Sequence, residues 1–177
     1  MASVPPPLPN PVDAYWEPAY RILYEAYMQE LISEDLAAFW GLMDTLTTVA
    51  VAITAPASTI TGWAMWNEPA GKLTWAAISG TASLISVLAG ALVVPGRVKQ
   101  QGELRSAFLH LRLDLEAFRD DLPTLQYDES RQRFEALRIR YQQELQKTKP
   151  DIALTIRRRE NIQNRLDGIM KKKGYIP

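Results

Sequence analysis

Two charge-free stretches separated by five residues constrain this chain more than any other feature. Thr45 to Asn67 runs for 23 residues and Leu73 to Gly96 for 24 without an Asp, Glu, Lys or Arg. A helix needs about 20 apolar residues to cross the ~30 Å hydrocarbon core of a bilayer, so each stretch is long enough. Between them lies only "EPAGK", a Pro-Gly turn that returns the second helix antiparallel to the first. Trp63, Trp66 and Trp75 cluster around this turn and Trp40 marks the other end of the first helix. That is where indole rings settle in the headgroup layer. The alternative is a hairpin buried in an all-α domain, but 177 residues are too few to surround two helices that are apolar on every side. The sequence therefore predicts a transmembrane hairpin over 42–96, with spans at about 45–67 and 73–96.

Basic residues orient the hairpin. Arg97, Lys99 and Arg105 follow the second span, whereas the turn carries one lysine, Lys72, so both termini are expected on the cytosolic side of the cell membrane. The opening "MASVPPPLPNP" has five prolines in eleven residues and no basic region, which reads as a solvated, disordered Pro-rich tail over 1–12 and not as a signal peptide. From Asp13 to about residue 41, Trp16, Tyr20, Tyr24, Tyr27 and Leu31 recur at steps of four and three, the stripe of an amphipathic juxtamembrane helix.

After the hairpin, residues 97–177 are expected to form cytosolic helices. Leu104, Phe108, Leu111, Leu115, Phe118 and Leu122 keep the same step and make a coiled-coil-like seam, a candidate oligomer contact. Pro123 ends that helix and Asp128 is placed to cap the next. The next helix is predicted to reach about Lys147 with Phe134, Leu137, Tyr141 and Leu145 on one side, and a last one runs from about Pro150 to Lys172. The fold class is thus an all-α membrane protein.

Lys plus Arg and Asp plus Glu are equal at 20 each, but they are unevenly spread. Residues 1–44 hold seven acids and one base; residues 97–177 hold 18 bases and 12 acids. Beside Ile162, Leu166 and Ile169, the bases Arg158, Arg165 and Lys172 recur every seven residues, which suits contact with anionic lipid or another anionic ligand, a salt-bridged surface, or packing on the acidic N-terminal helix. No aromatic residues are interleaved with these bases, so nucleic acid is not an expected partner.

Chemistry is sparse. There is no cysteine, and the only histidine, His110, has one potential co-ligand a turn away in Asp114, too few for a metal site. The pairs Asp120/Asp121 and Asp128/Glu129 flank a proline break, where carboxylates cap and solubilise. No catalytic residue, cofactor or metal site, and no enzyme activity, is expected. The hairpin carries the other pattern. Asp44, Thr47, Thr54, Ser58 and Thr61 fall on one stripe of the first span, and Ser79, Ser83, Ser86 and Gly90 on one stripe of the second. Such stripes either pack helix on helix or line a water-filled path with Asp44 at its cytosolic mouth. Two helices cannot enclose water, so the second reading requires a homo-oligomer.

The order of tail, juxtamembrane helix ("YWEPAYRILYEAYMQEL"), two close spans and seam helix ("LRSAFLHLRLDLEAF") resembles the SLATT family over about Asp13 to Lys147. These are two-transmembrane effectors associated with nucleotide second-messenger defence systems. The resemblance implies a pore-forming or membrane-disrupting effector in cell-suicide or antiviral defence, released by a sensor or enzyme partner, since this chain has no nucleotide-sensing domain of its own. The competing expectation is a scaffold whose cytosolic helices bind a partner while the hairpin is only an anchor.

Overall fold

A computed structural model describes residues 10–57 and 94–175, together with scattered residues between 72 and 90. Every regular element among the described residues is a helix: α1 (Pro11–Ala57), α2 (Val94–Asp121), α3 (Tyr127–Lys147) and α4 (Ile156–Lys172). The chain divides into two compact units, one made of the chain up to Asp35 together with Gln101 onward, the other of Leu36–Gln100.

The first unit is an antiparallel four-helix bundle, and its contacts give the register. Along α1 and α2, Glu34 pairs with Arg105, Glu30 with Arg112 and Tyr27 with Glu116, so the two run in opposite directions. Arg133 and Arg140 of α3 meet Asp121 and Asp114 of α2, reversing direction again. Asp35 and Tyr24 of α1 meet Arg158 and Asp167 of α4, which completes an up-down-up-down order. Its core includes Ala19, Phe118, Leu122 and Phe134, with Val12, Tyr15, Ile22, Leu125 and Leu137 packed around them.

Helix α1 starts earlier than expected because Asn10 caps it: its side-chain oxygen accepts the Val12 N–H at 3.1 Å, and Pro11 occupies the first helical position, where a missing N–H costs nothing. It also has no break near residue 42. The 47-residue helix runs from the amphipathic segment into the first charge-free stretch as one element. The core face shares Tyr27 and Leu31 with the expected stripe and is displaced from it by about one residue in the first half of that segment. Ala19, Leu23, Ala26 and Tyr27 are buried, Tyr20 and Tyr24 lie at the shoulder, and Trp16 is exposed. Small alanines let neighbouring helices approach, while a tyrosine at the shoulder keeps its hydroxyl on a polar partner.

Leu104, Phe108, Leu111, Leu115, Phe118 and Leu122, read from sequence as an oligomer seam, are all buried within the single chain. Phe134 and Tyr141 of α3 point inward, whereas Leu145 is exposed. On α4 the buried residues are Ile162, Leu166 and Met170; Ile169, expected in that strip, is only half-buried.

Two helix starts differ from expectation. Helix α3 begins at Tyr127 after Gln126, which makes no side-chain cap, so Asp128 sits inside the first turn, where its charge suits the helix dipole. Helix α4 begins at Ile156, not near Pro150. Asp151 accepts the Ala153 N–H at 2.9 Å and its carbonyl accepts the Leu154 N–H, forming a turn, and Thr155 then caps α4 through the Arg158 N–H. The far end of α4 is a glycine-terminated turn: Gly174 has φ of 73°, its N–H reaches the Lys171 carbonyl and the Tyr175 N–H reaches that of Met170.

In the second unit Leu36, Trp40 and Val94 are buried, Phe39 packs edge-on to Trp40, and the Arg97 guanidinium lies 4.9 Å above the Trp40 ring. Trp63, Trp66 and Trp75 lie outside the described residues. No helix among the described residues is long and apolar enough to cross a membrane. The described part of the first charge-free stretch on α1, residues 45–57, rises only about 20 Å at 1.5 Å per residue.

Candidate functional site

Charge inside the bundle is concentrated where α1, α2 and α4 meet. Arg112 and Glu116 flank the apolar seam of α2 one turn apart and so face its neighbours. Arg112 donates to Glu30 at 2.6 Å and to the Tyr27 hydroxyl at 3.1 Å, and Tyr27 donates to Glu116 at 2.7 Å. From just beyond α4, Lys173 donates to the same Glu116 at 2.6 Å. The Tyr27 ring has two cations over it, the Arg112 guanidinium at 4.5 Å and the Lys173 ammonium at 5.2 Å from its centroid. Two acids and two bases neutralise each other around one tyrosine, forming a clasp that joins three helices.

The environment shifts Glu116, Lys173 and Tyr27. Burial alone would raise the Glu116 carboxyl, but hydrogen bonds from Lys173 and Tyr27 outweigh it and hold the group below its ordinary value. Burial would lower Lys173, and Glu116 and Tyr27 overcome that and raise it. Tyr27 is pushed up, chiefly by burial. Among the described residues no buried side-chain polar atom lacks a hydrogen-bond partner.

A second set of contacts continues along α1 and α4. Asp35 receives Arg158 at 3.2 Å, Glu34 receives Arg165 at 3.0 Å, and Tyr24 donates to Asp167 at 2.9 Å. Beyond the glycine turn, Tyr175 accepts from Arg119 and its ring lies 6.2 Å from that of Tyr20. Of the bases read from sequence as lipid or ligand contacts, two therefore pair with acids of α1, while Lys172 is exposed at the opposite end of the helix. Ile162 and Leu166, the apolar residues beside them, face the core.

The stripes read from sequence on the expected hairpin are described only in part. Asp44 and Thr47 are half-buried, and Thr54 lies in α1. The Thr45, Thr47 and Thr48 hydroxyls donate to the carbonyls of Gly41, Met43 and Asp44, so each is satisfied by its own helix. Ser83 and Gly90 are helical and exposed; Ser58, Thr61, Ser79 and Ser86 lie outside the described residues.

His110 is exposed, and Asp114 is paired with Arg140. Asp120 pairs with Arg119, Asp121 with Arg133, and Glu129 with Arg133 at 2.9 Å. No group of three or more metal-ligating side chains occurs among the described residues. Sequence reasoning missed the clasp itself. The available signal was the position of Arg112 and Glu116, each next to a seam leucine, where charges choose a partner helix. Compared with family models, with curated proteins and with solved structures, the chain matches none.

Proposed function

We propose that the chain is an oligomeric, multi-pass effector of the cytoplasmic membrane that permeabilises the bilayer, with both termini cytosolic and the bundle holding it in a resting form. The SLATT resemblance gives this reading its setting: an antiviral or cell-suicide response in which a sensor or enzyme partner supplies the trigger.

One observation carries it. Leu42, Leu46 and Val49 on α1, with Leu73, Leu84 and Val87 beyond it, are about half exposed or more, and all six lie in or beside the charge-free stretches. Apolar surface on that scale is normally covered by a membrane or another protein. The same two helices that enter these stretches, α1 and α2, also build the bundle. A partner that loosens the clasp thus acts on helices that continue into the hairpin.

Exchanging residues 42–96 for an unrelated hairpin of equal length tests the reading. Expression of the native form under its trigger depolarises cells, and the exchanged form does not. Retained function after the exchange would make the hairpin an anchor and the bundle a docking module.

A further inference from the structure

We infer that the α3–α4 loop and the first turn of α4 form a docking surface for anionic lipid headgroups, with Ile152 and Ile156 as apolar wedges between three exposed cations. The inference rests on the membrane reading above and adds a lipid class and a set of residues to it.

The loop is held at both sides. Asp151 caps the Ala153 N–H and receives the Gln101 side chain at 3.4 Å, Ala153 is buried, and Arg158 reaches Asp35. Yet Ile152, between two anchored residues, is 69% exposed, and Ile156, the first residue of α4, is 81% exposed. These are large apolar side chains on a hydrogen-bonded turn and the helix start that follows it, presented to solvent without cover among the described residues.

The exposed charge around them is mainly positive. Lys149, Arg157 and Arg159 are exposed and have no acidic partner among the described residues; the exposed acid in the stretch 149–160 is Glu160. Of the bases that sequence periodicity pointed to, Arg158 and Arg165 are engaged with α1, and Lys172 is exposed at the other end of α4. Their neighbours are the available ones.

Position supplies the occupant. The anchors of this loop are Asp35, where α1 leaves the bundle unit, and Gln101, where α2 enters it. The loop thus lies at the end of the bundle from which the chain leads to the charge-free stretches. Isoleucines that enter the boundary between headgroups and acyl chains, ringed by Lys and Arg, are the pattern of an interfacial anchor to anionic lipid.

The chain has no cysteine, so a single one can be introduced and labelled with an environment-sensitive fluorophore. Full-length Ile156→Cys, Thr124→Cys and Leu84→Cys proteins are reconstituted in phosphatidylcholine vesicles with or without phosphatidylglycerol, and quenching by acrylamide is measured. The Ile156→Cys label is expected to shift to the blue and to be quenched several-fold less in the anionic vesicles than in the neutral ones. The label at Thr124→Cys, exposed in the α2–α3 turn at the opposite end of the bundle, stays aqueous in both. Adding Lys149→Gln, Arg157→Gln and Arg159→Gln removes the difference between lipids at Ile156→Cys. Equal shielding in both lipids would overturn the inference, since a second copy or another part of the chain would then be the cover. An aqueous label at Ile156→Cys beside a shielded one at Leu84→Cys overturns it while the membrane reading stands. An aqueous label at Leu84→Cys ends both.

Discussion

At the residue scale, burial decides which ion pairs matter. Glu30 and Arg112 retain 12% and 15% side-chain exposure, against 70% and 74% for Glu17 and Arg21. Removing Arg112 leaves Glu30 poorly solvated and without its cation, while Glu116 keeps Lys173, so Arg112→Ala should cost about 2–3 kcal/mol, just below the range for breaking a fully buried pair. Arg21→Ala should cost no more than about 0.5 kcal/mol, because water already screens the pair it breaks. Urea midpoints of the two variants check this directly. The clasp also sets a pH window. Glu116 lies below its ordinary value of 4.5 in the folded chain, so its contribution is present above that pH and is lost as pH falls through the folded value. Lys173 lies above its ordinary 10.5, so its contribution is full below that pH and is lost as pH rises through the folded value; the raised Tyr27 acts in the same direction. Stability should be level from about pH 5 to about pH 10 and decline on both sides. Glu116→Gln should flatten the acid limb in a series of urea melts.

At the element scale, the termini of α4 show what local chemistry adds to a hydrophobic stripe. Gly174 at φ of 73° lets the chain reverse and bring Tyr175 back to Tyr20 and Arg119. A Cβ there would meet no neighbouring atom but would strain the backbone, so Gly174→Ala should destabilise by about 1 kcal/mol. Hydrogen exchange should report the loss in the last turn of α4 and leave α3 unchanged. The seam of α2 was fully legible in the sequence, because six apolar residues at steps of four and three admit one buried face. Its partner was not: periodicity says that a face is covered, and not by whose helix. The face of α1 is displaced from the expected stripe over Trp16–Tyr24, though not at Tyr27 and Leu31, for a related reason. Aromatic residues mark the stripe by size, but Ala19 beside them is what packs with Phe118 and Leu122 of α2 and Phe134 of α3. The start of α4 was missed because Pro150 and Thr155 both satisfy helix-start rules, and the Asp151 turn decides between them. The candidate site was the least legible part. Arg112, Glu116 and Lys173 look like ordinary surface charges until three helices converge on Tyr27.

At the scale of the whole molecule, the opposite charges of the two parts of the chain have a structural use: Glu30, Glu34 and Asp35, midway along α1, are clamped by bases from α2 and α4. Glu34 lies at the centre of this arrangement, 3.2 Å from Arg105 and 3.0 Å from Arg165. Glu34→Lys replaces two attractions with two repulsions beside the point where α1 leaves the bundle unit. Its exposed guanidinium partners limit the thermodynamic loss to about 1 kcal/mol, but the loss falls on the docking of α4. Hydrogen exchange should therefore rise in Ile156–Lys172 more than in Tyr127–Lys147. Arg165→Glu in the same chain restores one attraction and leaves the clash with Arg105, so rescue should be partial. If a closed bundle is the resting form of a membrane effector, Glu34→Lys should also depolarise cells at a lower dose of trigger, and the double variant should recover part of the normal threshold. A scaffold with an inert anchor would show the same change in exchange with no change in membrane potential. Measuring both on one pair of variants separates a bundle that restrains the proposed membrane hairpin from one that is only attached to it.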